Sequence, residues 1–152
     1  GYSSTASDVY KRQEEAYEDR LKKLQEQGVI QYHGMVKDMA EVFETINCSV
    51  LPSYHEGMAN SLLEAAASGR PVIASNITGC RETFDEGVSG FGFQVKDSRA
   101  LIGALRKFLS LTTEERQQMG LAGRKKVETE FDRNIVINAY INEIEHISKG
   151  VK

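Results

Sequence analysis

Two carboxylates, Glu56 and Glu64, bracket the stretch Glu56-Gly57-Met58-Ala59-Asn60-Ser61-Leu62-Leu63-Glu64, which passes from a polar loop into a helix-forming run. A carboxylate accepts hydrogen bonds on both oxygens, so this pair suits the vicinal hydroxyls of sugar rings, one glutamate to each of two rings. It does not suit an anion, which like charge repels. The helix start between the two glutamates offers the opposite chemistry. The N–H groups of Ala59, Asn60, Ser61 and Leu62 are expected to lack intrahelical partners, and the helix dipole adds positive potential, so a diphosphate fits there. A hydroxylated ligand carrying phosphates is the implied class. Taken singly, each glutamate has a plainer reading, Glu56 as a solvated loop residue and Glu64 as a helix-surface charge.

Such a site needs a strand to deliver the loop and neighbours to hold it. Cys48 to Leu51 is a short apolar run closed by Pro52, and Asn60 to Ser68 follows with Leu62, Leu63, Ala65, Ala66 and Ala67 at helical density. Gly69-Arg70-Pro71 ends that helix. Val72-Ile73-Ala74 is nearly all apolar, as burial on both faces of a parallel sheet requires. Upstream, a charged helix over about 10–27 stops at Gly28, Val29 to Tyr32 reads as a strand, and Asp38 precedes a helix carrying Met39, Val42, Phe43 and Ile46. Downstream, Gly90 to Val95 reads as a fourth strand. Three helices follow: one marked by Leu101, Leu105 and Leu109, one capped by Thr112 or Thr113 through Glu115, and one capped by Asp132. Strands alternating with helices predict a single α/β domain, Rossmann-like and three-layered, with a parallel sheet and the ligand outside the carboxyl ends of its strands. Four strands make a small sheet, so one or two more are expected before Gly1.

Composition removes other classes. A net charge of -3 carries no basic surplus for nucleic acid. No run reaches the length of a membrane span, and the first residues lack an export signal, so a cytoplasmic location is expected. Cys48 and Cys80 suggest neither a disulfide framework nor a metal cluster, and His33, His55 and His146 are scattered. Ile137, Tyr140, Ile141, Ile144 and Ile147 form an apolar stripe, more often core than interface. Arg124-Lys125-Lys126 is a candidate for peripheral contact with anionic lipid, against a solvated helix face diluted by Glu128 and Glu130.

The stretch Glu56 to Ala66, continued by Gly69-Arg70-Pro71-Val72-Ile73-Ala74, resembles the retaining glycosyltransferases of family 4, whose second domain carries Glu, seven residues, Glu in this setting. The resemblance runs in order through Gly28-Val29-Ile30, Gly34, Thr78-Gly79-Cys80-Arg81-Glu82, Gly87-Val88-Ser89-Gly90, Met119-Gly120 and Ala122-Gly123-Arg124. It implies the C-terminal, donor-binding half of a GT-B enzyme. Glu56 would act on the donor sugar as the catalytic residue, Gly57, Met58, Ala59, Asn60, Ser61 and Leu62 would meet sugar and diphosphate, and Glu64 would hold the ribose. Gly34, Met35 and Val36 would read the nucleobase. The variant around His55 and Cys80 resembles the subgroup that builds bacterial capsular, exopolysaccharide or lipid-linked chains. It implies a UDP-hexose or UDP-N-acetylhexosamine donor, a saccharide or lipid-linked acceptor, and retention of configuration. No cofactor or metal is expected, and no Asp-x-Asp pair is present. The family places an acceptor domain and a basic Arg and Lys pair ahead of this region, so the 152 residues alone are expected to bind donor weakly and to transfer nothing. The rival readings are a UDP-sugar 2-epimerase and a non-catalytic receiver-like module.

Overall fold

The computed structural model describes residues 17–150, which fall in two units, Gly1–Asp38 and Met39–Lys152. In the first unit residues 17–26 are helical (α1), and the part of the expected helix before residue 17 lies outside the described residues. Gly28, at φ 68°, ends α1: its N–H donates to the Gln25 carbonyl (2.9 Å) and the Val29 N–H to the Leu24 carbonyl (3.0 Å), the bond pair of a left-handed helix stop. This closure corrects the expected strand at Val29 to Tyr32, which does not form. The Val29 donor is used by the helix end and the Tyr32 N–H donates to the Gln25 side chain at 3.2 Å, so the run lacks the donors a ladder would need.

The second unit holds α2 (Met39–Thr45), β1 (Ser49–Leu51), α3 (Asn60–Ala67), β2 (Val72–Ser75), α4 (Thr78–Arg81), β3 (Gly90–Phe93), α5 (Ser98–Leu109), α6 (Thr113–Glu130) and α7 (Arg133–Gly150). Among the described residues the sheet has three strands, not four, all parallel and in the order β1-β2-β3. Leu51 pairs with Ala74, and Ser75 with Phe93, so the three carboxyl ends lie side by side. Every residue of β2 is buried. Val72 and Ala74 pack on one face with Phe43, Leu62, Ala65 and Phe84, while Ile73 packs on the other with Phe91, Phe93, Phe108 and Met119. Two apolar layers thus sandwich one strand, the arrangement the unbroken apolar run required. The turn before β3 turns back onto its free side, where Gly92 donates to the Glu86 carboxylate (2.7 Å) and Gly87 donates to the Gly90 carbonyl (2.8 Å).

The helix starts follow their capping residues. Thr112 and Glu115 form a reciprocal capping box at the head of α6, Asp97 accepts from the Arg99 and Ala100 N–H groups at α5, and Asp132 accepts from Asn134 at α7. Thr112→Ala is expected to cost about 1 kcal/mol, read as a lower urea midpoint with an unchanged slope.

One expectation about outward-facing groups needs correction. The Ile137 to Ile147 stripe of α7 is exposed throughout, because both core clusters are filled by other elements, and Leu109 is exposed while Ala104 and Phe108 fill its place. Of the basic triad, Arg124 pairs with Glu128 (2.9 Å) and Lys126 bridges Asp85 (3.1 Å) and Glu130 (2.8 Å). Two of its three charges are therefore engaged within the domain. No helix among the described residues is long and apolar enough to cross a membrane.

Candidate functional site

The loop 52–59 leaves the carboxyl end of β1 and enters α3 without a side-chain cap at its first turn. Glu56, half-buried, accepts a 2.6 Å hydrogen bond from the Ser53 hydroxyl. Hydrogen bonds to a carboxylate are stronger than neutral ones, so Ser53 fixes one oxygen of Glu56. Sequence reasoning missed this residue, although the Ser-x-x-Glu spacing within a single turn was available to find it.

Gly79, buried in α4, braces the loop from behind. A Cβ at Gly79 would overlap the Glu56 carbonyl oxygen and lie 2.7 Å from the Gly57 carbonyl oxygen. The Gly79 carbonyl in turn accepts the Ala59 N–H at 3.0 Å. The loop therefore rests on bare backbone at Glu56 and Gly57 and again at Ala59. Cys80, the next residue, is fully buried, and burial together with the nearby Glu56 carboxylate pushes its thiol pKa up. It is a packing residue and not a nucleophile, since only the thiolate is nucleophilic.

This bracing redraws the expected anion site. Ala59 and Leu62 are buried, the Ala59 N–H is taken by Gly79, the Asn60 N–H donates to Met58 and the Leu62 N–H to Ala59. Of the four N–H groups expected to be free, only that of Ser61 has no acceptor among the described residues; those of Gly57 and Met58 in the loop are likewise without one. The free donors thus sit partly earlier in the chain than helix geometry alone implied, because a carbonyl twenty residues downstream occupies the position of the cap. Glu64 lies one turn into α3 with its side chain exposed, and His55 is exposed. Gly34, Met35 and Val36 belong to the first unit, where Gly34 has φ 62° and Met35 is 97% exposed.

The loop, Glu56, Glu64 and the uncapped start of α3 thus assemble at the carboxyl end of an open parallel sheet, where such folds take ligands. A family model described as glycosyl transferases group 1 matches residues 8–110. The N,N'-diacetylbacillosaminyl-diphospho-undecaprenol alpha-1,3-N-acetylgalactosaminyltransferase of Campylobacter jejuni is 29% identical over 125 residues, covering 82% of this chain and 32% of its own. The capsular polysaccharide biosynthesis glycosyltransferase CapM of Staphylococcus aureus is 33% identical over 101 residues, 66% of this chain and 26% of its own. The chain therefore spans about a third or less of the length of these relatives. Among solved structures, Anabaena Alr3699/HepE in complex with UDP and glucose superposes with a TM-score of 0.71 at 19% identity, over 88% of this chain and 37% of that one, a likeness of fold. Since the family model covers well over half of the 152 residues and the fold agrees with it, the chain belongs to the glycosyl transferases group 1 family.

Proposed function

We propose that this chain forms the donor-binding part of a glycosyltransferase that moves a hexosyl or N-acetylhexosaminyl group from a UDP-sugar to a polysaccharide or lipid-linked saccharide acceptor, with retention of configuration. The observation that carries the reading is Glu56, fixed by Ser53 in a loop braced by Gly79, directly before a helix start with no side-chain cap. Glu56 accepts from the hydroxyls of the transferred sugar, and Glu64 accepts from the ribose. The N–H groups of Gly57, Met58 and Ser61 and the dipole of α3 receive the diphosphate and stabilise its charge as it leaves, a role that requires no metal. Two relatives support the acceptor class by name, one naming a diphospho-undecaprenol and the other a capsular polysaccharide. The UDP and glucose bound to a structural neighbour support the donor class.

Magnitudes set the expected strength. A helix N-terminus contributes about 0.3–1 kcal/mol to an anion, and millimolar binding needs about 4 kcal/mol. Hydroxyl bonds to the two glutamates, at about 1.5–3 kcal/mol each, supply the rest, so Kd is expected on the order of millimolar. The test is saturation-transfer NMR of the chain with UDP, UDP-sugars, GDP and ADP, with and without EDTA. Transfer to the UDP ribose, unchanged by EDTA and lost in Glu64→Ala, is the expected result. Equal binding of UDP by Glu64→Ala would remove the ribose role. Silence from every nucleotide, here and in a longer chain carrying upstream sequence, would sink the donor reading.

A further inference from the structure

At the carboxyl ends of β1, β2 and β3, on the α5 side of the sheet, a cleft of about 280 Å3 opens between the loop after β1 and the loop after β3. Tyr54, Ser75, Phe93, Lys96, Asp97 and Ser98 line it. Ser75 is 1% exposed and its hydroxyl makes no hydrogen bond. A buried polar atom without a partner is rare in native interiors and calls for an explanation. Ser75 alternates with Ala74 along β2, so it faces the same side as Ile73 and Phe93, toward the cleft.

The remaining lining defines what fits. Asp97 Oδ1 accepts the Arg99 and Ala100 N–H groups, so a carboxylate already occupies the N-terminus of α5 and disfavours a second anion there. Its Oδ2 takes no hydrogen bond among the described residues. Lys96 balances that charge, leaving the cleft neutral, and it holds φ 60°, a left-handed conformation no other non-glycine adopts among the described residues. Its Nζ stands 5.6 Å from the centre of the Tyr54 ring, near the ~6 Å limit of such contacts, so it is readily displaced. One exposed aromatic face, one unpaired hydroxyl, one free carboxylate oxygen and one ammonium in a small neutral cleft match a pyranose ring, which presents an apolar C–H face and several hydroxyls. We infer that this cleft binds one neutral hexopyranose residue of a saccharide, beside the loop that carries Glu56. Identifying that residue as part of the acceptor rests on the transferase reading; the cleft itself does not.

The experiment is a 1H–15N NMR titration of the chain with methyl α-D-glucopyranoside, methyl β-D-galactopyranoside and the methyl glucuronide, carried to about 100 mM because a single ring with few contacts binds weakly. Shifts at the Tyr54, Ser75, Lys96 and Asp97 amides with a neutral glycoside, retained in Glu64→Ala, are expected. Ser75→Ala, which removes only the unpaired hydroxyl, is expected to weaken binding at least threefold without lowering Tm. Lys96→Gly, which relieves the left-handed backbone, is expected to weaken binding while raising Tm. Absent shifts, shifts elsewhere, preference for the glucuronide, or unchanged binding by Ser75→Ala would each overturn the assignment. Glycoside shifts without UDP binding, in this chain and in a longer one carrying upstream sequence, would remove the donor reading and leave the cleft, and the reverse result would remove the cleft alone.

Discussion

Gly120→Ala is expected to lower the unfolding free energy by about 3 kcal/mol, the upper end for overpacking a filled interior. Gly120 is buried in α6, where an added Cβ would overlap the Gly69 carbonyl oxygen, lie 2.9 Å from its carbon and touch Pro71 Cδ at 3.4 Å. The obstacle is backbone that cannot give way cheaply. Gly69, at φ 71°, ends α3 through bonds from its own N–H to Ala66 and from the Arg70 N–H to Ala65, and two residues later the Pro71 carbonyl accepts the Ser49 N–H from β1. Moving it would disturb a helix stop and the entry to β2 together. With a urea slope of about 1–3 kcal/mol/M, the midpoint should fall by about 1 M or more. Gly103→Ala is the internal control: it sits inside α5 with nothing within 4 Å of the added atom. The same change there should stabilise by up to about 1 kcal/mol, the helix-propensity difference. Two substitutions of one kind with the same sign would contradict the packing of α6 on the end of α3.

Gly79→Ala is expected to abolish detectable UDP-sugar binding while leaving the helical circular dichroism in place. The new methyl would overlap the Glu56 carbonyl oxygen and lie 2.8 Å from the Glu56 carbonyl carbon, so the loop must lift off α4. Lifting it strains the Ala59 to Gly79 bond that sets the start of α3 and moves Glu56 away from its place at the sheet end. A loss of about 1.4 kcal/mol is a tenfold weakening, enough to carry a millimolar ligand beyond detection. Loop amides should shift in the NMR spectrum, and Thr78→Ala, one residue earlier and exposed, should bind as the parent does. Parental UDP affinity in Gly79→Ala would mean that the Glu56 loop does not hold the donor.

Much of the fold was readable because its determinants are local. The apolar run at Val72 announces a strand buried on both faces, Thr112 and Glu115 announce a helix start, and Gly28 announces a helix stop. Where the reading failed, a partner distant in sequence or a competing local bond decided the outcome. Val29 to Tyr32 has strand composition, yet the end of α1 takes its donors. The first turn of α3 looks open to solvent until the Gly79 carbonyl claims one N–H, and the four-residue α4 that carries it is too short for any periodicity to reveal. The two glutamates and the glycine after the first were legible from type and spacing. Ser53 was not singled out, and the cleft of Ser75 and Lys96 could not be, because it joins the end of β2 to two loops, with Tyr54, Ser75 and Lys96 each more than twenty residues from the next. The α7 stripe shows periodicity without showing what covers it.

The turn that folds back on β3 bears on how the domain behaves at high concentration. Strand-to-strand addition needs a row of unused N–H and C=O groups, and fibres need such a row on both sides of every sheet. Glu86 and Gly87 use the outward groups of Gly92 and Gly90, so that side is already occupied by the chain itself. Among the described residues β1 is the other edge. The β3 side of the sheet therefore offers no free ladder for strand addition, and association of that kind is excluded there.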